Sequence, residues 1–190
     1  MRVRDAVKLE RAWSLVAATL LAALLPAAAM AAKDDTRIIS QPTGVEGVAG
    51  NAGSQSPSVS ADGRFVAFAS WASNLDPVDG DDASDVFVRD VVTGTTTLVS
   101  RASGSPGSKG DGDSFHPDIS GNGRYVAFTS RATNLDPADD DETADIFVRD
   151  LQAGTTRLVS RASGSSGSEG NGASYSPSIS DDGRRVTFDS

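Results

Sequence analysis

Apolar positions in this chain recur with a period of two, in short runs. In "RFVAFAS" (residues 64–70) β-forming residues alternate along the segment, as they do on a half-buried strand. In "DVFVRD" (residues 85–90) Val86 and Val88 fall on one face and Phe87 and Arg89 on the other. Asp-Gly at 62–63 and Asn-Gly at 122–123 stand just before such segments, and these dipeptides are strong signals for a two-residue hairpin turn. Beyond residue 32 no segment carries the 3.6-residue spacing of an amphipathic helix.

The whole pattern repeats every sixty residues. "PSVSADGRFVAFAS" at 57–70 returns as "PDISGNGRYVAFTS" at 117–130 and as "PSISDDGRRVTFDS" at 177–190. Between residues 56–115 and 116–175, 36 of 60 positions are identical. Each unit predicts four short strands: "PSVS", "RFVAFAS", "DVFVRD" and "TTTLVSR". One four-stranded antiparallel sheet cannot bury both of its faces, but a radial stack of them can, and that is the β-propeller. Phe65, Phe68, Phe87, Phe128 and Phe147 are expected between blades, where burial of each is worth about 1.5–3 kcal/mol.

The expected fold is therefore all-β, with propeller blades of four antiparallel strands in an incomplete propeller of about two and a half blades. Residues 33–55 would supply an N-terminal strand ("TRIIS", 36–40) and a Gly-rich connection, 56–115 the first blade, 116–175 the second, and 176–190 part of a third. An open edge on the terminal blade would favour self-association. Within each blade, loops alternate between two ends. One end carries the tight turns. The other carries the acidic loop between the second and third strands and the Gly/Ser-rich connection "ASGSPGSKGDGDSFH", which is expected to run loose. Loops on a rigid scaffold are where binding surfaces are built.

The motif P-x-x-S-x-[DN]-G-R-x-V-A-F-x-S resembles the WD-like repeat of TolB-type propellers, found in bacterial exported proteins. The resemblance covers nearly all of residues 36–190. It implies that Asp-Gly marks the hairpin between first and second strands and that Asp90 and Asp150 are polar residues closing the third. The sixty-residue unit exceeds the ~40–45 residues of an ordinary propeller blade, and the excess lies in the two long loops. Such propellers also occur within enzymes, so a fragment of a glycan lyase or hydrolase stands as an alternative to a non-enzymatic module that binds a protein or surface ligand.

Composition narrows the choice. The chain has no cysteine, so disulfides and thiolate chemistry are excluded. Its net charge of −9 disfavours nucleic acid, which needs a basic face, and suits a cation. Residues 1–32 pair a charged start with an uncharged apolar run that ends in Ala29-Met30-Ala31, the pattern of a cleaved signal peptide. A periplasmic or extracellular protein with no membrane span after cleavage is expected. A retained anchor has similar length.

The chemistry concentrates in the acidic loop. Asp79, Asp81 and Asp85 recur as Asp139, Asp141 and Asp145. Several carboxylates at short spacing on one loop suit calcium, which takes six to eight oxygen ligands. The spacing departs from an EF-hand, because Ala83 and Ser84 replace a ligand and the turn glycine. The same aspartates also suit a solvated turn, since Asp side chains bond nearby amides. Asp76 and Asp136, each before a proline, either add a ligand or start the turn. No catalytic residues are assigned: the one histidine, His116, stands where the other units have Ser56 and Ser176. Arg89-Asp90 and Arg149-Asp150, with Arg101 and Arg161, are expected to pair at strand ends.

Overall fold

The computed structural model describes residues 36–190 except 46, 106, 140, 165 and 166. The expected signal peptide, residues 1–32, lies outside the described residues. All ten described elements are strands: β1 (Ser54–Val59), β2 (Phe65–Ser70), β3 (Asp85–Asp90), β4 (Thr95–Leu98), β5 (Ser114–Ile119), β6 (Tyr125–Ser130), β7 (Asp145–Asp150), β8 (Thr155–Leu158), β9 (Tyr175–Ile179) and β10 (Val186–Asp189). They form two four-stranded antiparallel sheets, β1-β2-β3-β4 and β5-β6-β7-β8, and a two-stranded sheet of β9 and β10. These are two propeller blades and the inner pair of strands of a third. Residues 36–40, expected as a strand, form none. Among the described residues no helix is long and apolar enough to cross a membrane.

The register places the aromatic residues. Phe68 pairs with Phe87, and Phe128 with Phe147, in matching rows of the two blades. Their rings stack with centroids 5.8 and 5.9 Å apart. Phe128 and Phe147 join Val86, Val88, Ile119 and Leu135 in a core shared by the two blades. Phe68 and Phe87 pack with Leu75, Leu98 and Ile39 in a separate cluster. Blade-to-blade packing runs through β5, which lies against β1 and β2, and β9, which lies against β5 and β6.

The hairpin glycines serve two ends. Gly123 has φ +70°, which suits glycine best, and a Cβ there would stand 2.4 Å from the Phe65 ring of the preceding blade. Gly183 repeats this against Tyr125 at 2.1 Å. Gly63 has the same φ, +72°, but open space around it. The inner strands carry a bulge at Ser56, His116 and Ser176, each before a proline and each at φ of 50–54°. His116 is exposed there, edge-on to Phe115 at 5.2 Å.

The described residues of the Gly/Ser connection are held by hydrogen bonds rather than loose, and they do not stay at the long-loop end. Arg101 and Lys109 form a bridge, Ala102 donates to Ser108 O at 2.8 Å, and the Arg101 guanidinium donates to Gly107 O at 2.7 Å. From there the loop reaches the tight-turn end of the next blade. Ser103 Oγ accepts from the Thr156 amide at 2.9 Å and donates to the Thr156 carbonyl at 3.0 Å, and the Gly104 amide donates to Gly154 O at 3.0 Å. Thr156 belongs to β8, the outer strand of its sheet, so this loop satisfies backbone groups on an otherwise open edge. Thr43 does the same for Thr96 on β4, at 2.9 and 3.1 Å. Asp76 and Asp136 complete the capping: their Oδ2 atoms accept from the Leu98 and Leu158 amides at 3.3 and 3.1 Å, while their Oδ1 atoms hold the Val78 and Ala138 amides of the loop turn. These two aspartates are turn and edge residues.

The arginines depart from the expected pairing of neighbours. Asp90 takes the guanidinium of Arg64 at 2.7 Å, and Asp150 that of Arg124 at 2.7 Å. Arg89 and Arg149 are buried and turn the other way. Arg149 Nη1 donates to Arg101 O at 3.1 Å, Ala102 O at 2.9 Å and Thr156 Oγ1 at 2.9 Å. Arg89 makes the equivalent contacts with Gln41 O, Pro42 O and Thr96 Oγ1. Each buried guanidinium fastens the incoming connection to its blade.

Candidate functional site: two acidic clusters at the long-loop end

The acidic loop brings its aspartates together. In the first blade, Asp79, Asp81 and Asp85 each offer a carboxylate oxygen, all within 4.8 Å of one another. In the second, Asp139, Asp141 and Asp145 do the same, and Glu169 joins them. The loop achieves this by a turn at the proline that recurs in both blades, Pro77 and Pro137: the Asp79 amide donates to Asp76 O at 3.0 Å and the Asp139 amide to Asp136 O at 3.1 Å. Asp85 and Asp145 open the third strands, so their side chains are placed by sheet register. Asp79, Asp85, Asp139 and Asp145 are buried, whereas Asp81 and Asp141 are exposed. Each set of three aspartates is thus a buried pair with one carboxylate open to solvent, and Glu169 in the second cluster is half-buried.

The loops are braced against the neighbouring blade. The Ser84 amide donates to Asp113 Oδ1 at 2.8 Å, and the Ser114 amide to Ser84 O at 2.6 Å. In the second blade the Ser174 amide donates to Ala144 O at 2.7 Å. Ser100 Oγ donates to Asp85 Oδ1 at 2.6 Å while accepting from the Val86 amide at 3.1 Å, and Ser160 repeats this with Asp145 and Ile146 at 2.5 and 2.9 Å.

The two clusters differ in charge balance. Lys109 reaches into the first. Its Nζ lies 2.8 Å from Asp85, 3.0 Å from Asp81 and 4.0 Å from Asp79. Burial and the neighbouring Asp85 push the Asp79 carboxyl up to about 6. Burial also raises Asp85, against the pull of Lys109. Asp81 pays some burial too, but the Lys109 ammonium and the Ala83 amide outweigh it and hold the carboxyl low. Sixty residues on, Glu169 stands in place of Lys109. Burial raises Asp145, and its carboxyl meets that of Glu169 beside Asp139 and Asp141.

Lys109 and Glu169 are the site residues that loop spacing missed. They lie about thirty positions downstream in the Gly/Ser connection. The available signal was a charge reversal at one position of "RASGSxGSxG", where nearly all else is kept. Trp71 and Val78 are exposed at the same end of the first blade, 40% and 49% accessible.

No family model and no curated protein matches the chain. Among solved structures it is similar to a TolB protein from Agrobacterium tumefaciens (18% identity, TM-score 0.47), covering 72% of this chain and 38% of that one. It is also similar to the β-propeller domain of the Trilobed protease from Pyrococcus furiosus (16%, TM-score 0.42, 72% of this chain and 34% of that one). A third is TolB from Acinetobacter baumannii (16%, TM-score 0.40, 74% and 38%). The chain thus spans little more than a third of the length of these neighbours, and they include TolB propellers.

Proposed function

We propose that this chain is a non-enzymatic, exported propeller module that binds a protein or surface ligand through its long-loop end. The observation that carries this reading is the construction of that end. Long loops are braced blade to blade by Ser84, Asp113 and Ser174, yet they leave Trp71 and Val78 open to solvent. A rigid base with exposed aromatic and apolar tips is what a binding surface needs, because little ordering entropy is lost on contact. Immobilised protein exposed to a solubilised envelope fraction tests it. The double variant W71A/V78D is expected to lose the captured component, while V92D, which alters an exposed valine at the tight-turn end, keeps it. Equal loss in both variants would sink the assignment of the face.

A second reading, a calcium-binding extracytoplasmic domain, is favoured by the convergence of Asp139, Asp141, Asp145 and Glu169. Here the ion would stiffen the same loop end. A rise in melting temperature on adding calcium, reversed by EDTA, is the expected result.

A further inference from the structure

The two acidic clusters have one architecture and opposite charge balance. In the first, the space between Asp79, Asp81 and Asp85 is taken by a cation that the chain itself supplies, the Lys109 ammonium, 2.8 Å from Asp85 and 3.0 Å from Asp81. In the second, the equivalent position brings a fourth carboxylate, from Glu169.

Two observations point to a ligand in the second blade beyond the count of acids. The first is Asp145. It is fully buried, its Oδ1 accepts from Ser160, and its Oδ2 has no hydrogen-bond donor. The matching atom of the first blade, Asp85 Oδ2, is the one that meets Lys109. A buried ionised oxygen left so is strongly unfavourable unless a cation or a proton compensates it. The second is the first blade itself. The same loop, at the same register, surrounds a positive charge there, so the backbone geometry accommodates one.

We propose that the second blade holds one divalent cation between Asp139, Asp141, Asp145 and Glu169, and that Lys109 occupies the equivalent place in the first blade so that it takes none. This rests on the calcium-binding reading and deepens it. The cation is of the hard, oxygen-seeking class, because all four ligands are carboxylates. Oxygens within 4.8 Å of one another suit bonds of about 2.3–2.6 Å, the calcium range, better than the ~2.0–2.1 Å of magnesium. Asp141 is exposed, so the ion has an entry path and room for water ligands. Bound there, it ties the β6–β7 loop to the β8–β9 connection, the join that Lys109 makes between the β2–β3 loop and the β4–β5 connection in the first blade.

The test is calorimetric titration of the full mature chain, stripped with EDTA, with calcium and separately with magnesium. Wild type is expected to bind one calcium, with magnesium at least tenfold weaker. Glu169→Lys copies the first blade into the second and is expected to bind none, while melting at or above the temperature of stripped wild type. Lys109→Glu copies the second blade into the first and is expected to bind two. Retained binding in Glu169→Lys overturns the proposal. Two sites in wild type overturn it too but leave the calcium-binding reading standing. No binding in wild type overturns both. If Lys109→Glu fails to fold, Glu169→Lys decides alone, because its arrangement already exists in the first blade.

Discussion

Replacing Arg149 by methionine removes the fastening between the second blade and the connection that enters it. The methionine keeps an apolar stem of similar reach and deletes three hydrogen bonds, to Arg101 O, Ala102 O and Thr156 Oγ1. A hydrogen bond to a charged group contributes about 1.5–3 kcal/mol, and a buried carbonyl left without a donor costs about 1–3 kcal/mol. These terms overlap, and Thr156 keeps its bond to Arg101 O, so they do not sum. Burial of the guanidinium also carries a desolvation cost, seen in the lowered Arg149 pKa, which burial and the nearby Arg101 depress. Loss of about 3–5 kcal/mol is expected, a large part of the 5–15 kcal/mol that stabilises an ordinary domain. Urea denaturation followed by far-ultraviolet circular dichroism measures it. R149K is expected to fall between, since one ammonium cannot reproduce the planar fork. R124M is the control: it removes a guanidinium that is 41% exposed and paired to Asp150 at the surface, and it should lose far less. If R149M proved no more costly than R124M, the fastening role would be refuted.

Other expectations follow from the same geometry. Gly123→Ala should cost about 2–4 kcal/mol, because positive φ and collision with Phe65 act together, whereas Gly63→Ala should cost about 1 kcal/mol from φ alone; denaturant midpoints of the pair check this. Lys109→Met should destabilise by roughly 3 kcal/mol by stranding the buried Asp79 and Asp85, and millimolar calcium should restore part of the loss in a thermal melt. Hydrogen bonds hold Asp90 and Asp150 down to about 2: for Asp90 those from Arg64 and the Val92 and Thr93 amides outweigh burial, and for Asp150 that from Arg124 leads. Their folded pKa lies below the unfolded value, so their stabilisation is complete above pH ~4 and is lost as pH falls toward 2; D90N/D150N should flatten stability against pH in that window. Asp79 has the opposite sign: raised to about 6, it favours the folded state when protonated, so D79N should remove a decline in stability between pH ~4 and 6.

Much of the architecture was legible because the sixty-residue repeat and the period-two pattern both report local physics. "DVFVRD" predicted β3 and β7 to the residue, and the Asp-Gly and Asn-Gly turns fell where expected. What was not legible depends on contacts between units. Arg89 and Arg149 read as partners of the adjacent aspartates, but alternate side chains of a strand point to opposite faces, so each guanidinium reached a carbonyl row while each aspartate met Arg64 or Arg124. "TRIIS" matches the fourth strand by letter but forms no strand. The three aspartates of each loop were visible from spacing, while Lys109 and Glu169 arrive from a connection that composition alone marked as slack.

The clasp that closes each blade precedes that blade in the chain. Gln41, Pro42 and Thr43 fasten Arg89 and Thr96; Arg101, Ala102 and Ser103 fasten Arg149 and Thr156. Folding therefore has a polarity. A polypeptide emerging amino end first delivers every clasp before the strands that need it, so no completed sheet waits with its outer edge bare. A cut placed just before β1, ahead of residue 54, would remove the first blade's clasp while leaving all four of its strands. The complete structural unit, clasp and four strands together, is offset from the repeat that the letters mark, beginning some fifteen residues earlier.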